Sequence, residues 1–465
     1  ITLDGEYKHG GFNGKAELND ENGSVAVNGS INLVEKIPTF DFQASIKNLR
    51  PHELNLTQKY EDTEFSVKVT ANFKGGSIDQ MNGDIDIDSL QFTAPEKEYF
   101  MKNLHVAATQ EAGINKLALT SEFMTANVEG RFLYPTLPAS IMNIMRSYIP
   151  SLILPPKKQI ETDNNFSFDI HIFNVDILSS IFDIPLKIYT HSTIKGYVND
   201  RMRRIRVEGY FPRLQYKNNF LESGLLLCEN PSDQFMGKVR FTSQKKNGAV
   251  NISLEAQAKD DQVNTTINWG NNAAVTYSGQ LAAMAQFLRT EGEKPLLKAL
   301  VDIKPTDVIL NDTIWQVHPS QVVVDSGKID INDFYFSHAD RYIRVDGHIS
   351  DNPEDTVKVN LKDINIGYVF DIARISDDVN FEGDATGMAY ASGVLKKPVL
   401  DTRLSIMNFT LNGGLLGDLD IYGAWDNEKK GIYLDAHIQE KDISKTHVNR
   451  FIYPIKPTSG LDLNI

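Results

Sequence analysis

The sequence predicts a mainly β protein: one elongated repeat of antiparallel-rich strands with a few short helices. Three observations carry that reading. Apolar and polar residues alternate in "FDFQASIKNL", "EFSVKVTANF", "NFSFDIHIF", "AVNISLEAQAK" and "DTVKVNLKDI", the period-two pattern of a strand with one buried face. Asn, Asp and Gly turns such as "NDENG", "KKNG" and "VND" separate these stretches at spacings of about 8–12 residues. The stretches also resemble one another at long range. Roughly 30 strands are implied, and because open sheets rarely exceed about ten without curling or splitting, the sheet must curl, stack or repeat.

The repeat is direct in one place. "GDIDIDSLQF" from Gly83 matches "GKIDINDFYF" from Gly327, which places the Ile85/Ile87 pair opposite Ile329/Ile331. Asp84, Asp86 and Asp88 have the spacing that opens a calcium loop. Such a loop needs Gly at its sixth position and Glu at its twelfth; here those positions hold Ser89 and Pro95. The matching copy has Lys328, Asp330 and Asn332, so the aspartates read as outward positions of a strand. A second element places Gly29, Gly130, Gly209 and Gly347 inside alternating strands, where glycine marks a bulge or bend. A third runs from a strand through Asn48, Asn174 or Asp363 into a short apolar stretch with the look of a helical turn. Recurrence in this order, without linkers, predicts one continuous body over 1–465. Its imperfect sections are roughly 1–132, 133–210 with an amphipathic helix at 138–149, 211–350 and 351–465.

Two segments read as better helices. In "LPASIMNIMRSYI", Ile141, Ile144, Met145, Tyr148 and Ile149 form one apolar stripe. "SGQLAAMAQFLRTEG", from Ser278, opens with an N-cap residue and ends in Gly. Each either packs on an apolar sheet face or acts as a plug or gate over an apolar groove.

Composition narrows the function. The chain has 465 residues, 41% hydrophobic and 23% charged, with a net charge of −14. That is globular in class and the wrong sign for a nucleic-acid binder. Cys228 is the only cysteine, so no internal disulfide forms. The ten histidines show no H-x-x-x-H spacing, and no G-x-S-x-G, Walker or dinucleotide loop is present. The carboxylates read as solvated outer faces, although distant strands can assemble a glycosidase pair that spacing does not reveal. The run "RMRRIR" offers Arg201, Arg203, Arg204 and Arg206 as contacts for lipid headgroups. Its equivalent, "DRYIRVDG", lacks the cluster, which favours an ordinary solvated hairpin. The first residue is Ile1, and "LDLNI" at the other end still alternates; the chain is read as a segment of a longer protein.

Residues 309–373, with "NDTIW", Pro319 and "VDGHIS", and residues 391–425, with "SGVLKKPVLDTRLSI", resemble the TamB family of AsmA-like cell-envelope proteins. The resemblance implies a periplasmic, strand-built body folded lengthwise into a U-shaped groove with an apolar interior. It also implies an inner-membrane anchor and a TamA-type outer-membrane barrel partner, both engaged by regions outside this segment. On that footing the chain is expected to be a non-enzymatic conduit for phospholipid, with no cofactor and no metal. The expected lining, chosen by alternation alone, is Ile85, Ile87, Ile329, Ile331, Val345, Ile349, Val357, Val359 and Leu361. Two other readings are a scaffold that accepts client strands at its sheet edges and a solid β-solenoid of adhesin-like or carbohydrate-acting kind.

Overall fold

The computed structural model describes the chain except residues 1, 9, 34–36, 60, 78–79, 95–96, 157, 159, 183, 218, 246–247, 272–275, 291–295, 368–379, 397–398, 427–430, 441–442 and 453–465. The closing "LDLNI" and the end of the third copy of the strand-to-helix element lie outside the described residues. The chain forms two compact units, Ile1–Asp260 and Asp261–Ile465.

The first unit opens with β1 (Thr2–Lys8), β2 (Gly11–Asp20), β3 (Gly23–Asn32), β4 (Thr39–Leu49) and β5 (Glu64–Lys74). It continues with β6 (Asn82–Ala94), β7 (Lys97–Glu111), β8 (Ile114–Ser121) and β9 (Met124–Arg131). Helix α1 (Leu137–Arg146), β10 (Asn165–Ile172), helix α2 (Asp176–Phe182), β11 (Leu186–Ile188) and β12 (Ser192–Asn199) follow. The unit ends with β13 (Arg204–Tyr216), β14 (Asn219–Glu229), β15 (Phe235–Lys245) and β16 (Gly248–Lys259). Pairing is antiparallel and follows chain order, except that β10 pairs with β12 and short β11 joins the far end of β13.

The second unit holds β17 (Gln262–Asn271), β18 (Ser278–Arg289), β19 (Leu297–Ile303), β20 (Thr306–Leu310), β21 (Thr313–Val317) and β22 (Ser320–Asp325). It continues with β23 (Lys328–His338), β24 (Arg341–Ile349), β25 (Thr356–Asn365), β26 (Phe381–Ser392) and β27 (Val399–Leu411). The last strands are β28 (Gly414–Asp426), β29 (Gly431–Glu440) and β30 (Ile443–Ile452). Strands β19 to β22 make one hairpin broken on both sides: Pro305 separates β19 from β20, and Pro319 separates β21 from β22. Proline has no N–H to give a ladder, so the two breaks coincide. The mainly β, antiparallel class with short helices agrees with the sequence reading.

Register explains why one face is apolar. Directly paired residues project to the same side of a sheet. In the first unit one row runs Phe42, Ala71, Ile85, Val106, Leu119, Ala126, Ile170, Ile194, Gly209, Leu226, Val239 and Leu254. The next row along is Gln43, Thr70, Asp86, His105, Thr120, Thr125, His171, Thr193, Tyr210, Leu225, Arg240 and Ser253. The second unit repeats the contrast. Val263, Ala285, Val301, Val322, Ile331, Gly347, Val357, Ala391 and Leu400 form one row. Arg344, Asn360, Met388, Arg403, Tyr422 and Asp435 lie on the other face.

Alternation alone does not keep this pattern. Asn48, Ser89, Ser223, Asp333, Asp363 and Asn408 adopt positive φ between 50° and 56° inside strands. Each stands at a break in pairing register. The effect is to bring apolar residues three apart, such as Ile331 and Phe334 or Leu361 and Ile364, to the same face. At four of the six the bulged N–H leaves the ladder and finds a side chain on a neighbouring strand. Asn48 N–H donates to Ser66 Oγ at 2.9 Å and Asp363 N–H to Thr386 Oγ1 at 3.0 Å. Asp333 and Asn408 donate to the carboxylates of Asp346 (3.1 Å) and Asp418 (2.9 Å). Asn and Asp tolerate this conformation best among residues with a Cβ. Ser89 and Asp333 occupy equivalent places in the "GDIDIDSLQF" and "GKIDINDFYF" copies, so that sequence repeat is a repeat of the bulge.

One predicted helix is corrected. The segment from Ser278 is strand β18, paired with β17 on one edge and β19 on the other. Its Ala, Leu, Met and Gln are good helix formers, but that preference is at most about 0.7 kcal/mol per residue. Two ladders of hydrogen bonds and the burial of Leu281, Ala283, Ala285 and Phe287 on the apolar face outweigh it. The strand-to-helix element is realised differently in its copies. After β4 there is a single turn, with Leu54 N–H donating to Arg50 O at 3.1 Å; after β10 it is α2.

Gly83 has φ 141°, and a Cβ there would stand 2.1 Å from Asn72 O. At Gly237 an added Cβ meets nothing within 4 Å. Gly83→Ala is expected to destabilise the protein by about 1–3 kcal/mol, and Gly237→Ala to change stability by no more than about 0.5 kcal/mol. Urea unfolding of the two variants checks the contrast.

Candidate functional site

The apolar face is the candidate site. Its seven expected lining residues in the second unit fall on one side. Ile329 pairs with Ile349, Ile331 with Gly347, and Gly347 in turn with Val357. Val345 pairs with Val359, and Leu361 with Ile343 beside it. In the first unit Ile85 pairs with Val106 and Ile87 with Leu104, also on the apolar side. Val357 is buried, and the other eight are half-buried. Leu254, in the same row as Ile85, is 37% exposed, so among the described residues no second layer covers that part of the face.

Alternation singled out too few residues. Ile170 and Ile194 belong to the row of Ile85, and the "NFSFDIHIF" pattern already carried Ile170. Trp315, within the "NDTIW" motif, is 6% exposed and stacks on Phe336 at 5.0 Å. Cys228 lies on the apolar side as well, between Val207 and Gly237, and burial pushes its thiol pKa up.

The two helices of the first unit close the apolar face at opposite strand ends. α2 places Leu178 and Ile181 against a cluster of Met101 and Phe123 that includes Ile87, Leu90, Leu104 and Met124. α1 stands where β9 ends and β10 begins. Of its predicted stripe, Ile144, Tyr148 and Ile149 are buried and Met145 is half-buried, while Ile141 is 45% exposed. Tyr148 and Ile149 follow the last helical residue, Arg146, so the stripe outlasts the helix. Tyr148 meets the ring of Phe235 at 6.1 Å. The helix thus packs on the sheet, as one of the two expectations had it.

Buried polar groups fix α1 in place. Asn164 Oδ1 accepts from Leu133 N–H (2.8 Å), and its amide donates to Thr136 Oγ1 (2.9 Å) and Ser140 Oγ. Ser140 Oγ donates to Asp200 (2.8 Å), which also takes the N–H of Asn164 (2.7 Å). Asn230 donates to Tyr148 Oη at 2.7 Å and accepts from Ile205 N–H at 2.8 Å. Each group answers another, as burial requires.

The four arginines do not form one open cationic patch. Arg201 makes a two-point contact with Asp163 at 2.7 and 2.9 Å and holds that carboxyl below the usual carboxylate range. Arg204 donates to the carbonyls of Asn230 and Ser232. Arg206 lies between Glu208 and Glu229. Arg203 occupies the β12–β13 turn with φ 51° and is exposed. Shallow hollows of about 510 Å³ and 410 Å³ flank Arg206 and Glu208 on the polar side.

The repeated aspartates have a structural role there. Asp86 bonds His105 at 2.7 Å across β6 and β7, and its counterpart Asp330 bonds His348 at 2.6 Å across β23 and β24. Among the described residues no group of three or more His, Cys, Asp or Glu is placed to hold a metal ion, and no helix is long and apolar enough to cross a membrane.

Comparison with protein-family models, with curated proteins and with solved structures returned no match.

Two outcomes follow from this geometry. Asn164→Ala leaves the Leu133 N–H without its acceptor and removes a donor from Thr136 and Ser140, and is expected to cost about 1–3 kcal/mol; urea unfolding followed by far-ultraviolet circular dichroism measures it. Thiolate is the reactive form of cysteine. With its pKa raised, Cys228 is expected to react with iodoacetamide at pH 8 severalfold more slowly than in urea-unfolded protein, the native rate climbing as pH rises further. A pH series of labelling, followed by mass spectrometry, checks both the rate and its direction.

Proposed function

We propose that this chain is a non-enzymatic lipid-handling segment whose apolar sheet face holds acyl chains. The observation that carries the reading is the unbroken apolar row in each unit, left half-exposed by the residues around it. A large uncovered apolar surface marks a site of interaction, and here it follows the sheet from strand to strand. A bound hydrocarbon gains on the order of 0.8 kcal/mol per CH₂ removed from water. Most of that gain persists as the chain slides between equivalent rows, so movement needs no catalytic residue. The polar opposite face keeps the sheet hydrated. The resemblance of residues 309–373 and 391–425 to the TamB family supports the same reading. It extends the proposal to a periplasmic conduit for phospholipid between inner and outer membranes.

The test is native mass spectrometry with lipid extraction on the purified chain and on the double variant Ile329→Asp plus Val359→Asp. Phospholipid bound to the wild type and absent from the folded variant is the expected result. A folded wild-type chain that carries no lipid, and takes none from vesicles, would sink the proposal and favour the client-strand scaffold.

A further inference from the structure

The first unit narrows in one place. β8, β9, β10 and β12 have eight residues each, whereas β6 and β13 have thirteen and β7 fifteen. At about 3.3 Å per residue, eight residues span roughly 26 Å. Four positions of β10 face the apolar side: Phe166, Phe168, Ile170 and Ile172. They pair with Val198, Gly196, Ile194 and Ser192 of β12.

The outer rows are covered. Val198 is 3% exposed and Ser192 0%. At the α2 end, Met124, the partner of Ile172, packs into the cluster beneath that helix. At the α1 end the Phe166 ring meets Phe132 at 5.4 Å. Phe132 leads into α1, and it is 2% exposed. Two inner rows remain, Ala126–Ile170–Ile194 and Val128–Phe168–Gly196; Ala126 is buried, and the other five residues are half-buried. Their centres are about 7 Å apart, which leaves an open strip on the order of 10 Å wide.

The floor is level: a Cβ on Gly196 would stand 2.8 Å from the Phe168 ring, which fills the space above it. The width is therefore set by the helices, and the buried bonds of Asn164, Ser140 and Asn230 hold α1 still.

We infer that this strip between α1 and α2 is the specificity-determining waist of the lipid face. It rests on the lipid-handling reading. Because helices close both strand ends, hydrocarbon crosses here only perpendicular to the strands. The width admits the two chains of one diacyl lipid and rejects lipids with four acyl chains. Ile170 and Ile194 line the strip.

The experiment is transfer between vesicles of phosphatidylethanolamine and phosphatidylglycerol, with a fluorescent diacyl phospholipid and a fluorescent cardiolipin as probes. The wild type is expected to move the diacyl probe and not the cardiolipin. Ile194→Trp and, independently, Ile170→Trp are expected to slow diacyl transfer about tenfold or more. Ile85→Trp, the same change in the wide part of the same row, is expected to slow it as well, but severalfold less than either waist variant. Thermal unfolding confirms that each variant is folded before transfer is read. Cardiolipin carried as well as the diacyl probe, or waist variants no slower than Ile85→Trp, would overturn the waist and leave lipid handling standing. A wild type that binds no lipid at all overturns both.

Discussion

The structure depends on strand register. A sheet with one apolar face has a period of two along each strand, so a slip of one residue turns the whole apolar set outward. Over many strands that constraint accumulates, because each strand takes its register from the one before. In the first unit a single row links Phe42 to Leu254 without a strongly polar residue, while the row beside it carries Asp86, His105, His171 and Arg240. The pairs Asp86–His105 and Asp330–His348 add a cross-strand bond on the polar side in each unit. Such pairs oppose slippage, since a shifted strand would lose them.

Strand bending threatens that register, and the positive-φ residues resolve the conflict. A bulge adds one residue to one strand and would put the rest of that strand out of phase. At five of the six bulges the flanking apolar residues stand three apart in sequence, so they return to the same face after it. The cost is an N–H withdrawn from the ladder. Ser66, Thr386, Asp346 and Asp418 each accept one such bond, and these acceptors belong to strands adjacent to the bulge. The bulges are built features of this sheet, held by polar side chains outside the apolar face.

α1 and α2 act on the same face in opposite ways to the bulges: they cover it locally and define what stays open. α2 does so by apolar contact with Met101 and Phe123. α1 adds a buried polar set in which Asn164 links the start of β10 to the helix. That set is costly to leave half-made, and it ties the helix to the turns at the ends of β12 and β14. An apolar strip between two fixed helices has a defined width, which a bare sheet lacks.

The sequence by itself determined the strand content, the one-face apolar pattern, the glycine positions and the match between the Gly83 and Gly327 stretches. Those features are local, written in period-two alternation and in residues that favour turns. It also marked Asn48 and Asp363 as places where the strand changes course. Only the tertiary structure decided that Ile85 and Ile194 share a row, that the chosen lining residues fall on one face within each unit, and that Arg201, Arg204 and Arg206 are spent on carboxylates and carbonyls. Those facts depend on which strand lies beside which, and pairing partners are not encoded in spacing. The segment from Ser278 shows the reason most plainly. Its composition favours a helix by a few tenths of a kcal/mol per residue, and two neighbouring strands, invisible in the segment itself, supplied the hydrogen bonds that made it β18.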